Sequence, residues 1–350
     1  MSKIILTGGG TAGHCIPNVA LLPQLKNHFK DIVYVGSKYG IEKNIIEKEN
    51  IPFYEITCAK LDRSNLLKNI STPIKVLQGI NQAGKIIDKI MPDVIFSKGG
   101  YVSVPLVIAA AKRKIPIVLH ESDYTVGLAN KICLKFSNKI LTSFPETAKG
   151  LKDSEYVGSP VRKSLFNFNR EVSLKYFGFD GKKPIILVTG GSQGARAVNS
   201  VFRAALPNLL PRYDIIHICG KGNLEKENTP QGYYQVEYLE KMEHALNLAS
   251  VCISRAGANT LFELMALKVP SILIPLPKTV SRGDQILNAE YFQKLGLTYV
   301  LNQNVLTKDS ITYAINSVYS NRLNIIRNIS KQNFLDSNEK IVKIICDSIK

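Results

Sequence analysis

The chain has 350 residues and carries 45 Lys and Arg against 28 Asp and Glu, a formal net charge of +17 at pH 7. That length allows two domains with cores of their own, and no run reaches the roughly 18 apolar residues that span a bilayer. Six scattered cysteines with no CxxC pair argue against zinc and disulfides, and the charge favours a polyanionic partner without choosing among phosphates, nucleic acid and an anionic membrane.

The N-terminal apolar run is too short for a signal peptide, so a cytoplasmic protein is expected. Ile4–Leu6 reads as a buried strand, Gly8-Gly9-Gly10-Thr11-Ala12-Gly13-His14 as a glycine turn, and Ile16 to Phe29 as a helix. A strand, a glycine turn and a helix start form a ready anion site, because free N–H groups point out of the first helical turn. His14 adds a group that moves protons near neutral pH, although a histidine there also serves as a packing or capping residue. Cys15 reads as a packing thiol. Further strands are expected at Ile32–Val35, Phe53–Ile56, Val94–Phe96, Ile117–Leu119 and Ile140–Leu141. Amphipathic helices fall between them at Glu42–Glu49, Ile74–Ile90 and Val104–Lys112. This βαβ rhythm predicts a doubly wound parallel sheet with its ligands at the carboxyl ends of the strands.

A turn-rich segment from about Val157 to Pro184 reads as a linker, after which the pattern restarts. Pro184–Thr189 is a strand, Gly190-Gly191-Ser192-Gln193-Gly194 a second glycine turn, and Ala197–Leu210 a helix. Strands recur at Ile215–Ile218, Gln235–Val236, Val251–Ile253 and Ser271–Ile274, and Ile325–Ile349 is helical in pattern. Two Rossmann-like domains in tandem suggest a ligand held in the cleft between them.

Gly8-x-Gly10-x-x-Gly13 formally matches a dinucleotide fingerprint, but the second strand ends Tyr34-Val35-Gly36-Ser37 without the acid that holds a ribose. His120-Glu121 is no part of an HExxH zinc motif. In Ser254-Arg255-Ala256-Gly257-Ala258-Asn259, a strand runs into a helix expected to start at Asn259 as N-cap. Glu263, one turn in, suits a ribose diol or the helix dipole; Asp284 and Gln285 suit sugar hydroxyls or ordinary capping. No Asp-x-Asp occurs anywhere, so a nucleotide diphosphate would be neutralised by helix termini and basic residues rather than by a metal.

Taken together, Gly8–His14, Gly99-Gly-Tyr-Val-Ser103, His120-Glu121, Gly158-Ser-Pro-Val-Arg162, Gly190–Arg196, Ser254–Gly257 with Glu263, and Asp284-Gln285 with Asn288-Ala289 resemble the MurG family. These bacterial enzymes add N-acetylglucosamine to lipid I to make lipid II. The resemblance implies a GT-B fold, an α/β class with two Rossmann-like domains whose parallel sheets face each other across a cleft. It implies an acceptor- and membrane-binding domain over residues 1–162, joined by a C-terminal helix at about 330–350, and a UDP-sugar domain over 163–329. Arg162, Ser192 and Gln285 match donor-contacting positions, Glu263 the ribose acid, and Leu239 a position whose backbone meets uracil. Thr11, Ala12 and Gly13 match the loop near the donor sugar, His14 a histidine proposed to assist catalysis, and Tyr101 and Glu121 residues on the acceptor side. The family commonly has Gln-Asn after His-Glu; Ser122-Asp123 stands here, and Asp123 accepts but does not donate a hydrogen bond as the amide does.

The family's reaction is an inverting displacement by the C4 hydroxyl of the N-acetylmuramyl sugar of lipid I, an undecaprenyl-pyrophosphoryl-N-acetylmuramyl-pentapeptide, on UDP-N-acetylglucosamine. It implies His14 or a cleft carboxylate as base, no cofactor, no metal and no nucleic-acid partner. It also implies peripheral attachment to the anionic cytoplasmic leaflet. Leu66, Leu67, Ile70, Ile74, Leu77 and Ile80 alternate with Lys60, Arg63, Lys68 and Lys75, a pattern that suits a lipid interface or a helix packed on its own sheet. Another nucleotide-sugar enzyme of the same fold, a glycolipid transferase or an epimerase, is the alternative.

Overall fold

The computed structural model describes residues 2–60, 71–190, 195–225 and 229–349. The chain divides into two units, Met1–Arg162 with Leu335–Lys350, and Lys163–Phe334.

The first unit is built on a seven-stranded parallel sheet. Its strands are β1 (Ser2–Thr7), β2 (Phe29–Ser37), β3 (Phe53–Ile56), β4 (Val94–Ser97), β5 (Ile117–Glu121), β6 (Lys139–Thr142) and β7 (Ser154–Tyr156). They lie in the order β3-β2-β1-β4-β5-β6-β7. The helices between them are α1 (Ala12–Leu25), α2 (Ile41–Glu47), α3 (Thr72–Ile90), α4 (Ser103–Ala111), α5 (Leu128–Cys133) and α6 (Pro145–Lys149). The central strands are near-continuous apolar runs because both faces are covered. Ile4, Leu6, Tyr34 and Phe96 serve one core, and Ile5, Val35, Ile95 and Leu119 the other.

The order reverses between β1 and β4, so the loops that follow those two strands flank the switch point of the sheet, where such folds take their ligands. The second unit repeats the plan with β8 (Ile185–Thr189), β9 (Asp214–Ile218), β10 (Tyr233–Val236), β11 (Ala249–Ser254), β12 (Ser271–Leu273) and β13 (Thr298–Val300). Its parallel order is β10-β9-β8-β11-β12-β13, which puts the loops after β8 and β11 at its switch point.

Several boundaries differ from the sequence reading. The first helix spans Ala12–Leu25 rather than 16–29, because the glycine turn feeds it directly and Phe29 is a buried core residue opening β2. The expected linker is partly ordered structure of the second unit: α7 spans Arg170–Phe177, with the Asn169 side chain accepting from Val172 N at 3.0 Å and Gly178 closing it at φ +73°. After α12 (Lys308–Ser320), two helices stand in place of the one expected over Ile325–Ile349: α13 (Arg322–Ser330) and α14 (Ser337–Asp347).

α14 belongs to the first unit, where Ile341, Val342 and Ile345 enter the core beside Leu21 and Leu25 of α1. Buried Asn338 stitches it in place. Its Oδ1 accepts from Val161 N at 2.9 Å, and its Nδ2 donates to Val161 O at 2.8 Å and Ala20 O at 3.1 Å. Asn338→Ala strands these main-chain groups away from water, and chemical denaturation should report a loss of about 3 kcal/mol. An unchanged midpoint would mean that water replaces the amide.

Candidate active site

The turn after β1 is shaped by what lies against it. Gly10 has φ +84°, and a methyl there would collide with the Tyr101 ring. Gly9 and Gly100 are equally crowded, by the Glu42 carboxyl group and by the Gly9 carbonyl respectively. The three glycines therefore let two loops and α2 interlock at the switch point.

Glu42, in the first turn of α2, is fully buried beneath this turn. Its Oε1 accepts from Ser37 N at 2.9 Å and Ser37 Oγ at 2.6 Å, and its Oε2 accepts from Gly10 N at 3.3 Å. A carboxylate thus takes an N–H that a bound phosphate would use, and repels the phosphate charge as well. The first glycine turn is a poor pyrophosphate cradle, which counts against a dinucleotide there.

Thr11 precedes α1 in extended conformation at φ −151°, followed by Ala12, Gly13 and His14 in the first turn. The His14 Nδ1 lies 3.2 Å from the Lys98 carbonyl oxygen. A carbonyl only accepts, so this contact puts the proton on Nδ1 and leaves Nε2 as the nitrogen able to take one. The neighbouring Cys15 thiol is buried, which pushes its pKa up to about 12. It is a packing thiol, not a nucleophile.

Lys98 itself, at the end of β4, is only 1% exposed. Its Nζ lies 2.7 Å from Nδ1 of His120 and donates to Ser122 Oγ at 2.8 Å. The other His120 nitrogen, Nε2, meets the Gly158 carbonyl at 2.9 Å, so it carries the proton and Nδ1 accepts from the lysine. Burial and the neighbouring lysine hold the His120 pKa well below the ordinary histidine value. It is a neutral bridge in the core, with one ring nitrogen on Lys98 and the other on Gly158.

Glu121 is buried, and its carboxylate folds its own loop. Oε1 accepts from Asp123 N at 3.0 Å, and Oε2 from Gly127 N at 3.0 Å and Asn130 Nδ2 at 2.8 Å. It shapes the surface around half-buried Asp123 and does not reach outward. Half-buried Tyr101, against Gly10, is the side chain of this group nearest the glycine turn; burial raises its phenol pKa.

In the second unit, Ser192 lies outside the described residues, which leaves Gly190 and the start of α8 (Arg196–Leu209) on either side of that turn. After β11, the helix α10 (Ala258–Ala266) begins one residue before the expected cap, with Gly257 at the cap position. A methyl added at Gly257 meets nothing within 4 Å, so there is clear space beside the cap of α10.

Glu263 is half-buried on α10. Arg255 is turned inward, donating to Ile274 O at 2.9 Å, and braces the end of β12. Gln285, in the first turn of α11 (Asp284–Lys294), accepts from Leu276 N at 3.1 Å, and Asn288 donates to Ala256 O at 3.2 Å. These bonds pin α11 to the loops that follow β12 and β11, the second of which leads into the helix carrying Glu263. The Leu239 side chain is buried in the loop after β10, and Arg162 is half-buried at the end of the first unit.

Sequence reading missed Glu42 and Lys98. Glu42 has the position of an ordinary first-turn helix acid, and its burial depends on Ser37 and Gly10 coming from two other segments. Lys98 carried a signal, a lone cation between a buried strand and a glycine pair.

The description of the glycosyltransferase family 28 N-terminal domain matches residues 4–142, and that of the family's C-terminal domain residues 185–345. The chain is 48% identical over 354 residues to a protein of Lachnospira eligens, with all of both chains covered. It is 47% identical over 347 residues to one of Clostridium tetani, covering 98% of this chain and 97% of the other. Both are named UDP-N-acetylglucosamine--N-acetylmuramyl-(pentapeptide) pyrophosphoryl-undecaprenol N-acetylglucosamine transferase. Among solved structures, MurG of Acinetobacter baumannii superposes with a TM-score of 0.79 at 23% identity, over 99% of this chain and all of the other. That likeness shows the fold, the GT-B type.

Proposed function

The chain belongs to the MurG family of glycosyltransferase family 28, and on that premise we propose that it transfers N-acetylglucosamine from UDP-N-acetylglucosamine to the C4 hydroxyl of the N-acetylmuramyl sugar of lipid I. The observation that carries the reading is the end-to-end identity of 48% to a transferase of that name.

The two switch points divide the chemistry in a way that supports it. In the second unit the N-terminus of α10 supplies N–H groups for a departing diphosphate, and Arg162, the last residue of the first unit's main segment, adds positive charge. Glu263 receives the ribose, Gln285 the sugar, and the main chain at Leu239 the uracil. In the first unit the turn is closed to phosphate by Glu42. It presents His14 with Nε2 able to accept a proton, which is what an attacking hydroxyl needs. Thr11, Ala12, Gly13 and Asp123 approach the donor sugar, and Tyr101 borders the acceptor. No step draws on a metal or cofactor.

UDP release with a lipid I analogue, comparing UDP-N-acetylglucosamine with UDP-glucose, tests this. Acceptor-dependent release with the first donor is expected; UDP release or sugar isomerisation that ignores the acceptor would favour an epimerase instead.

The acceptor is lipid-borne, and we place the enzyme peripherally on the anionic cytoplasmic leaflet. No helix of the described residues is long and apolar enough to cross a membrane. Residues 61–70 lie outside the described part, and with them Arg63, Leu66, Leu67, Lys68 and Ile70. The adjoining half of the pattern favours an interface over inward packing. Ile74 and Leu77 of α3 are each 61% exposed beside exposed Lys75, while half-buried Ile80 packs inward and Ala83 and Ile87 further along hold the helix to its core. Leu128 and Ile132 of α5 are exposed too, next to exposed Lys131. The double change Ile74→Glu with Leu77→Glu should weaken binding to vesicles containing anionic lipid by about tenfold or more. Binding of the parent protein that ignores salt and anionic lipid would sink the assignment.

A further inference from the structure

We propose that Lys98 is a positioning residue of the transfer reaction, its main-chain carbonyl orienting the His14 ring while its side chain braces the His120–Asp123 segment on the acceptor side. The proposal rests on the functional reading above and assigns work to a residue that the motifs of the family leave aside.

The geometry is a single buried chain of contacts. The Lys98 N donates to Thr7 O at 2.9 Å, which fixes the residue beside β1 and its glycine turn. Its carbonyl meets His14 Nδ1, and its ammonium reaches His120 and Ser122. His120 in turn ends on Gly158, in the segment leading to Arg162. One residue therefore touches the turn with the candidate base and the loop with Asp123, and through His120 it reaches the exit of the unit. A lysine in this place needs small or accepting neighbours. Ser122 is buried and offers a hydroxyl oxygen at 2.8 Å, where a glutamine would bring a longer side chain and a competing donor. Asp123 and Glu121 supply opposite charge on the same loop. Ser122 is thus the hydroxyl partner of Lys98 on the loop that also carries Asp123.

Burial lowers the Lys98 pKa to about 7, against the opposing pull of Glu121 and Asp123; His120 and His14 are the other titratable groups on its contacts. A base whose folded value lies below its unfolded value of 10.5 binds fewer protons in the folded state between those limits. Stability therefore rises with pH from about 7 towards 10, and the gain is lost as pH falls back to 7.

The test uses Lys98→Met, of similar length and without charge, and Ser122→Ala. With Lys98→Met, kcat/KM for a lipid I analogue should fall about tenfold or more while KM for UDP-N-acetylglucosamine stays within about twofold. Ser122→Ala should move the same parameter less, and the double variant should be no worse than Lys98→Met alone, because the two act through one contact. The rise of thermal stability between pH 7 and 9 should be steeper in the parent than in Lys98→Met. Should Lys98→Met fail to fold, Ser122→Ala reads the same contact. An acceptor kcat/KM within about twofold of the parent, a donor KM that worsens in step, or multiplying effects in the double variant overturns the proposal. A parent enzyme that releases no UDP with the acceptor overturns the functional reading first, and that arm is measured before any variant.

Discussion

His14→Ala is expected to lower kcat for UDP release by about 10²–10⁴-fold, the usual contribution of a positioned acid–base group, with KM for UDP-N-acetylglucosamine nearly unchanged. The direction follows from where the histidine stands. It belongs to the first turn of α1, and its Nδ1 is engaged by the Lys98 carbonyl. That contact favours the proton on Nδ1 and so assigns the proton-accepting role to Nε2. The donor-binding groups proposed above, save the main chain at Thr11–Gly13, Asp123 and Arg162, belong to the second unit, and truncating an imidazole leaves all of them intact. Thermal stability should drop little, because the ring is half-buried and its bond to the Lys98 carbonyl lies within reach of water. A variant with normal kcat would transfer the role of base to a carboxylate, and a donor KM raised along with a lower kcat would make His14 a donor ligand instead.

The parts of the fold that could be read in the sequence share a physical cause. Strands such as Ile4–Leu6 and Ile185–Val188 are buried on both faces, so they appear as apolar runs that end in glycine. The edge strand β7 lacks that signature: Ser154-Glu155-Tyr156 has polar, partly exposed side chains and is invisible to hydropathy. The α7 helix hid in a charged stretch, although Asn169 and Gly178 were its cap signals. At the candidate site the loops were legible, because a glycine turn after a strand is a local feature. Their partners were not. Glu42 reaches Gly10 across 32 positions and Lys98 reaches Ser122 across 24, and no local pattern distinguishes such a buried charge from a solvated one. Glu121 shows the reverse: its motif suggested an outward-facing carboxylate, whereas three donors of its own loop and of α5 claim it.

Gly100→Ala should cost about 2–4 kcal/mol of stability, combining left-handed strain with overpacking, and should lower kcat about a hundredfold, the penalty typical of a displaced reacting group. Gly100 sits at φ +81°, where a methyl group is strained in any surroundings. Its ideal position collides with the Gly9 carbonyl, which is main chain and has no rotamer to offer, and it comes within 3.1 Å of the His14 ring. Relief requires the loop after β4 to withdraw from the turn after β1. Lys98 lies two residues earlier, so the same movement draws its carbonyl away from His14 Nδ1. The stability loss and the rate loss therefore have one origin, which separates this change from His14→Ala, where the rate falls and the fold does not. Gly257→Ala is the matching control for glycine replacement as such: an added methyl there meets nothing, and any effect should fall on donor KM through the entrance to α10. If Gly100→Ala melted like the parent and kept its rate, the two loops would have to part without disturbing His14, and the interlocked switch point would not be what holds the base in place.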